Sequence, residues 1–535
     1  MLWIALHLPR LSLESFAAML ASSADPAAAE VPIALLEAHR IVSANATAQA
    51  QGVKPGLKRA TALALAPKIV LGQADAARDA AALWPVAHAA LAFTPSVSLQ
   101  PAAEAGASPD TVLLEVRASL RYFGGLARLL RCLDAALRPL GHAVRVASAT
   151  TAQGAALLAR IEPPPQCPDL AATCRALEDV PVGLLGLGRE HWEALQGMGL
   201  HQLGDLLGLP RAGLARRFGE ALLAELDAAF GRRPDPREPI VLPPAFESRL
   251  ELFARADTTE QVLHGAAVLL ERLIAWLSAQ HAFVRRFRLL MHHEARRSVR
   301  EGGRTPQATT LEIALAEPSR DSAHLLVLLR ERLARVQLPA PTLDLCLQAD
   351  DVSKRAPPNA ELFATAGSES EGLTRLIERL QARLGADQVQ RLIATEDHRP
   401  ERASETRAAE AAPGPGSGRK PVGTQRRGRR TAAAGEAGLE AGTVVARPVW
   451  LQPPEPLHEQ GSRPLFEGRA LQLLSGPERI EAGWWDSALA GRDYFIAEAA
   501  DGALIWIYRE RLPLAREAGG NGASGSGWFL HGRFG

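Results

Sequence analysis

Apolar positions at the start of the chain run unbroken from Leu2 to Leu6, the length and abrupt ending of a buried strand. After His7, Leu8, Pro9 and Arg10 the spacing changes, and Leu13, Phe16 and Ala17 predict a helix from about Leu11. Val31 to Ala38, Arg40 to Ser43 and Lys68 to Leu71 read as further short strands, as does the apolar run after Asp110. Residues 144–160 read as a strand and a helix, so 1–165 form an alternating α/β unit. A Pro-rich connector, Glu162 to Asp169, opens a helical stretch over 166–235. Over 240–350 the pattern gives a strand, a long amphipathic helix and alternating strands, with a second helix at Leu325 to Leu333 and a last strand at Thr342 to Leu347. The segment 351–398 carries an extended piece and then a helix from about 372 to 396. Apolar side chains thin out over 399–443, where Pro, Gly and charge predict a disordered basic linker. Order returns over 444–535, and Asp501-Gly502 predicts a β-hairpin pairing Arg492 to Ala497 with Ala503 to Tyr508.

At 535 residues the chain is too long for one core. Its 60 Lys+Arg against 59 Asp+Glu leave a net charge of +1 that says nothing about partners, although arginine clusters locally. Cys132, Cys167, Cys174 and Cys346 show no metal-ligand spacing, and free thiols in a cytoplasmic setting are expected. No run reaches the roughly 18 uninterrupted apolar residues of a membrane span, and the first strand lacks the basic lead of a signal peptide. No membrane partner is expected.

A strand that delivers carboxylates just before a helix is where phosphoryl-transfer enzymes hold divalent cations. Here that strand ends without one. The layout resembles the opening of Y-family DNA polymerases, the UmuC-like translesion enzymes, whose strand ends Asp-Met-Asp. On that pattern His7 stands at the first metal aspartate and Pro9 at the second carboxylate position. An imidazole brings no negative charge and one lone pair, so it cannot bridge two hard cations. Gly52, Val53, Gly56, Ala62 and Pro67 match the family's frame, but Ala46 and Gln49 replace the Tyr and Arg that grip the triphosphate. In SPDTVLLEV, Asp110 keeps the second-motif aspartate, Thr111 replaces its glutamate, and Glu115 matches a structural position. Asp110 also reads simply as a turn residue. Ala152 and Ala156 fall where two lysines belong. The resemblance implies a palm and fingers kept without catalytic groups, metal or cofactor.

Gly186-Leu187-Gly188, with Trp192 and Leu195 following, resembles a helix-hairpin-helix thumb in which Gly186 and Gly188 bring backbone amides to a DNA phosphate. Glycine also simply ends helices. Residues 240–350 resemble the little-finger domain, where Arg285, Arg286 and Arg288 on one strand suit a phosphate backbone. His292 and His293 point to opposite faces and read as surface residues. Asn359, Leu362 and Phe363 resemble the peptide that binds the bacterial sliding clamp (β subunit); equally, Asn359 reads as a helix cap with Leu362 and Phe363 packed inward.

The tail holds Gly-Trp-Trp-Asp, Arg-Asp-Tyr-Phe and Trp-Phe-Leu-His-Gly-Arg-Phe-Gly, and with the degenerate core it resembles the polymerase-like member of bacterial mutagenesis cassettes. Such a member is a noncatalytic adaptor in translesion synthesis and induced mutagenesis. It binds DNA and the clamp, and recruits a RecA-like accessory protein and an error-prone C-family DNA polymerase. Trp484, Trp485 and Trp506 are expected in a small core, and Trp528, Phe529 and Phe534 as partner contacts. The fold expected is α+β and multidomain: palm/fingers, helix-hairpin-helix thumb, little finger, disordered linker and a small β-containing C-terminal region. The alternatives are an active Y-family polymerase with a reduced metal site, and a helix-hairpin-helix DNA binder unrelated to replication.

Overall fold

The opening apolar run becomes the strand Trp3–His7, hydrogen-bonded on both sides and therefore central to its sheet. The computed structural model describes residues 1–20, 31–102, 108–186, 189–294, 307–354, 366–409, 447–448, 450–486, 488–511 and 527–534. These form two units, Met1–Gly385 and the chain from Ala386 onward. In the first, Trp3–His7 lies between Thr111–Glu115 and Arg145–Ala149, with Val97–Leu99 at the edge, all antiparallel. Side chains alternate between the faces. Ile4, Leu6, Val112 and Leu114 pack with the helices Ala76–Leu91 and Leu126–Leu137. Ala5, Leu113 and Ala147 pack with Ala152–Leu158, and that core continues into the helical domain through Leu177, Leu195, Leu203 and Leu222. Opposite strands bring His7 level with Thr111 and Arg145.

A smaller sheet sets Ile33–Glu37 between Arg40–Ala44 and a parallel strand, Val70–Gln73. Gly72 is required there, because a Cβ would come within 2.6 Å of the Phe16 ring.

The third domain is a four-stranded antiparallel sheet in the order Ala308–Ser319, Ala282–His293, Thr342–Lys354, Phe246–Ala256. Thr259–Ala279 and Ser322–Leu333 supply its helices. Thr258 and Gln261 form a capping box at the start of the first. Among the described residues this is the one helix long and apolar enough to cross a membrane. It instead buries Val262, Leu269, Leu273 and Trp276 in the domain's own core. Its Ala275 joins the core of the first sheet, and Phe16 meets Phe253 edge-on at 5.2 Å, so the first and third domains share packing.

Two expected boundaries are corrected. The helix predicted to run to 396 is Ala366–Leu384, and Gly385 ends it at φ +104°, a conformation that favours glycine. The expected linker does not begin at 399: Gln390–Ala394 pairs with Ser404–Ala408 around a 3-10 turn at Pro400–Arg402. This charged stretch folds because its charges find partners within the second unit. Arg399 is buried and pairs with Asp397 and Asp486 at 2.6 Å each, while Arg492 pairs with Glu401 at 2.9 Å.

The second unit's main sheet runs Trp450–Pro456, Trp528–Arg533, Leu504–Glu510, Ala490–Glu498, Gln472–Ala482, all antiparallel. The expected hairpin is its middle, with Tyr494 opposite Tyr508.

Candidate functional site

At the end of the first strand, His7 and Thr111 face each other with Nδ1 and Oγ1 3.1 Å apart. The Thr111 hydroxyl donates to Asp110 Oδ1 at 2.8 Å, and Asp110 Oδ1 also accepts from Arg160 Nη2 at 2.9 Å. His7 Nδ1 lies 3.6 Å from the same oxygen. Arg160 follows the helix Ala152–Leu158, which delivers it to the face of the sheet that His7 and Thr111 share. Burial on its own would raise the Asp110 pKa. The His7 imidazole, the Arg160 charge and the Thr111 hydroxyl outweigh burial and hold the carboxyl at about 2. Pro9 sits in the exposed turn after the strand and offers no side-chain oxygen.

This donor set does not fit a two-metal polymerase centre. Two hard cations need several anionic oxygens, and here the one carboxylate is already paired with a guanidinium and faces an imidazole, which brings no anionic oxygen. Among the described residues no cluster of three or more His, Cys, Asp or Glu has ligand geometry. An NMR titration of Asp110 is expected to give a pKa near 2 in the native chain and one moving up toward 3.8 in Arg160→Ala. Because the folded value is depressed, the ionised pair's stabilising contribution is complete above the unfolded carboxyl's pKa and is lost as pH falls toward 2.

The positions expected to have lost triphosphate-gripping groups are filled by local helix capping and core packing. Asn45 caps the helix Ala46–Ala50, accepting from Ala48 N–H at 2.9 Å, so Ala46 only opens that helix. The Gln49 amide donates to the Ala44 carbonyl at 2.7 Å. Ala152 and Ala156 are buried core residues. Glu115 accepts from the Leu2 N–H at 3.1 Å, the structural role expected of it.

In the helical domain the Gly186 N–H donates to Glu225, 3.1 Å to Oε2 and 3.3 Å to Oε1. A carboxylate therefore stands where the hairpin reading places a phosphate. Burial raises the Glu225 pKa, and the Gly186 N–H, the Gln153 amide and Arg160 work against it. Gly188 lies outside the described residues. Glu225 and Arg160 also line a cleft of about 560 Å³ with Gln100, Gln153, Asp235 and Arg237. Gln153 is its hub: Nε2 donates to Glu225 at 2.8 Å, and Oε1 accepts from Gln100 and Arg237 at 3.0 Å each.

On the third domain's sheet, Arg285 and Arg286 are both exposed because the pairing slips near Asp351. Arg286 pairs with Asp351 at 3.1 Å and Arg288 with Asp350 at 3.0 Å. Exposed pairs of this kind contribute little and exchange readily, so a phosphate here would displace carboxylates. His292 and His293 do point to opposite faces, but His293 is buried, with Nε2 2.8 Å from Thr309 Oγ1, and is not the surface residue expected.

The tail's aromatic assignments reverse in part. Trp506 is core as expected, 1% exposed and stacked on Tyr494 at 4.0 Å. Trp528, expected at a partner surface, is buried with Ile505, Ile507 and Leu530, because its place in the strand aims it inward. Phe529 stacks on Tyr508 at 5.1 Å and, with Phe534, is partly buried against the other face. Trp484 and Trp485, expected inside, follow Gly483 (φ +84°) in a turn beyond the end of their strand. Trp484 is 77% exposed, and Trp485 lies over the Arg399 guanidinium at 5.5 Å. Asn359, Leu362 and Phe363 lie outside the described residues.

Arg160, Glu225 and Arg237 escaped the reading of the sequence. The signal for Arg160 was its cation at the end of the helix searched for two missing lysines. For Glu225 no local signal exists, since its partner is 39 residues away.

No protein-family model matches the chain. Among solved structures, an insertion ternary complex of Dbh DNA polymerase is 16% identical, with a TM-score of 0.37, covering 66% of this chain and 99% of that one. DinB from Sulfolobus solfataricus is 17% identical, with a TM-score of 0.36 and the same coverage. Protein ImuB of Caulobacter vibrioides, in each of two strains, is 32% identical over 501 residues, spanning 90% of this chain and 100% of its own length. That identity over the relative's whole length shows that the chain belongs to the ImuB family.

Proposed function

We propose that the chain is a noncatalytic, Y-family polymerase-like adaptor in DNA-damage tolerance, working in the cytoplasm. The observation that carries this reading is the Asp110–Arg160 pair beside His7, an internal cation set on the one carboxylate left at the metal position. Family membership and the frame residues around lost gripping groups support it. In this reading the thumb hairpin and the Arg285 to Arg288 strand hold DNA, and Asn359, Leu362 and Phe363 hold the sliding clamp. The C-terminal region gathers an error-prone C-family polymerase and a RecA-like accessory protein, so synthesis on a damaged template belongs to the recruited enzyme.

Primer extension by the pure chain, with Mg²⁺ or Mn²⁺ and all four deoxynucleoside triphosphates, tests it. Binding of primer-template without extension is expected. Extension that Asp110→Ala abolishes would overturn the adaptor reading in favour of a polymerase with a reduced metal site.

A further inference from the structure

The helix Ala366–Leu384 is turned with its apolar side outward. Leu373, Leu376, Leu380 and Leu384 are 59%, 52%, 36% and 51% exposed. At 100° per residue they cover a stripe about 80° wide along three turns. Its inward side is instead Thr374, Glu378 and Ala382, all buried.

Glu378 fixes this rotation. Its Oε1 accepts from the Ala316 N–H at 2.6 Å, and its Oε2 lies 2.8 Å from His324 Nε2. Turning the helix to bury the leucines would strand that carboxylate and uncap the Ala316 amide, costs that burial of apolar surface does not easily offset. The stripe is therefore held outward by a polar lock on the other side.

Along one flank, Arg375, Arg379 and Arg383 recur on successive turns and are exposed. Arg375 pairs with Asp321 at 3.1 Å, and Arg379 lies 3.9 Å from Glu331. An arginine row beside a leucine stripe is complementary to a helix with leucines flanked by carboxylates, as in paired amphipathic helices. A second copy of this chain fits less well, since antiparallel pairing of identical faces sets arginine row against arginine row. An anionic lipid surface also fits less well: the stripe is narrow and has no aromatic anchor.

We infer that the face Leu373–Leu376–Leu380–Leu384 with the Arg375–Arg379–Arg383 row is a docking surface for an acidic amphipathic helix of another protein. It lies on the third domain and is distinct from the metal position, the hairpin and the tail.

The test is fluorescence anisotropy of the full-length chain with a labelled helical peptide of about 21 residues, leucine at heptad a and d positions and glutamate at e and g. A matched peptide with lysine at e and g serves as comparison. The glutamate peptide is expected to bind at least tenfold more tightly than the lysine peptide. Leu376→Ser with Leu380→Ser should abolish binding and leave the thermal midpoint unchanged, and Arg379→Glu with Arg383→Glu should reverse the preference between the peptides. Equal binding of both peptides, or no binding, overturns the proposal. A lowered midpoint in the leucine variant overturns it too, because it means the chain's own residues cover the stripe. So does conversion of a dimeric native chain to monomer, which means a second copy does.

Discussion

Trp506→Ala is expected to destabilise the second unit by about 3–5 kcal/mol, the range for deleting a fully buried large aromatic. Trp506 is stacked on Tyr494 and also lies parallel to the His531 ring at 6.0 Å, while Tyr494 Oη and His531 Nδ1 are 2.8 Å apart. Removing the indole therefore opens a cavity and loosens a buried hydrogen bond together. Burial has pushed the neighbouring Tyr508 hydroxyl up to about 12, as expected of a dry cluster. Trp484→Ala removes the same side chain from an exposed turn and should change stability by no more than about 0.5 kcal/mol. Calorimetry of the full chain, following the transition of the C-terminal unit, separates the two. Equal losses would mean that Trp484 is buried and the aromatic assignment of the tail is wrong.

What the sequence revealed and what it hid divide along one physical line. Period and turn chemistry are local, so the first strand, the helix ending at Leu333 and the hairpin at Asp501-Gly502 were legible from a few residues each. The departures from the polymerase pattern at His7, Ala46, Gln49 and Thr111 were legible too, because an absent group needs no partner to be recognised. Replacement groups were not. Arg160 matters through Asp110, 50 residues away, and Glu225 through Gly186. The same limit explains the misread linker, since Arg399 and Glu401 acquire meaning only beside Asp486 and Arg492. Trp528 and Trp484 show it for apolar residues. Both are tryptophans near aromatic neighbours, and only strand parity in one case and a turn beyond the strand end in the other decide which is inside.

Three positions that the polymerase-like reading gives to external charge are thus occupied from within: the metal position by Arg160, the hairpin amide by Glu225, and the basic strand by Asp350 and Asp351. The hairpin is where this costs most for DNA, because a carboxylate both takes the amide and repels a phosphate. Two like charges about 4 Å apart repel by about 1 kcal/mol in water and about 4 kcal/mol near a protein surface. Glu225→Gln retains acceptors for the Gly186 amide and for Gln153 while removing the charge, and should tighten binding of a primer-template duplex about tenfold at low salt. Glu225→Lys puts a cation at the same place and should tighten it about a hundredfold, with the log–log salt dependence steepened by about one ion. Anisotropy titrations of the full chain across salt concentrations measure both. If neither variant changes affinity or slope, the Gly186 amide does not meet DNA, and the hairpin has no part in holding a duplex.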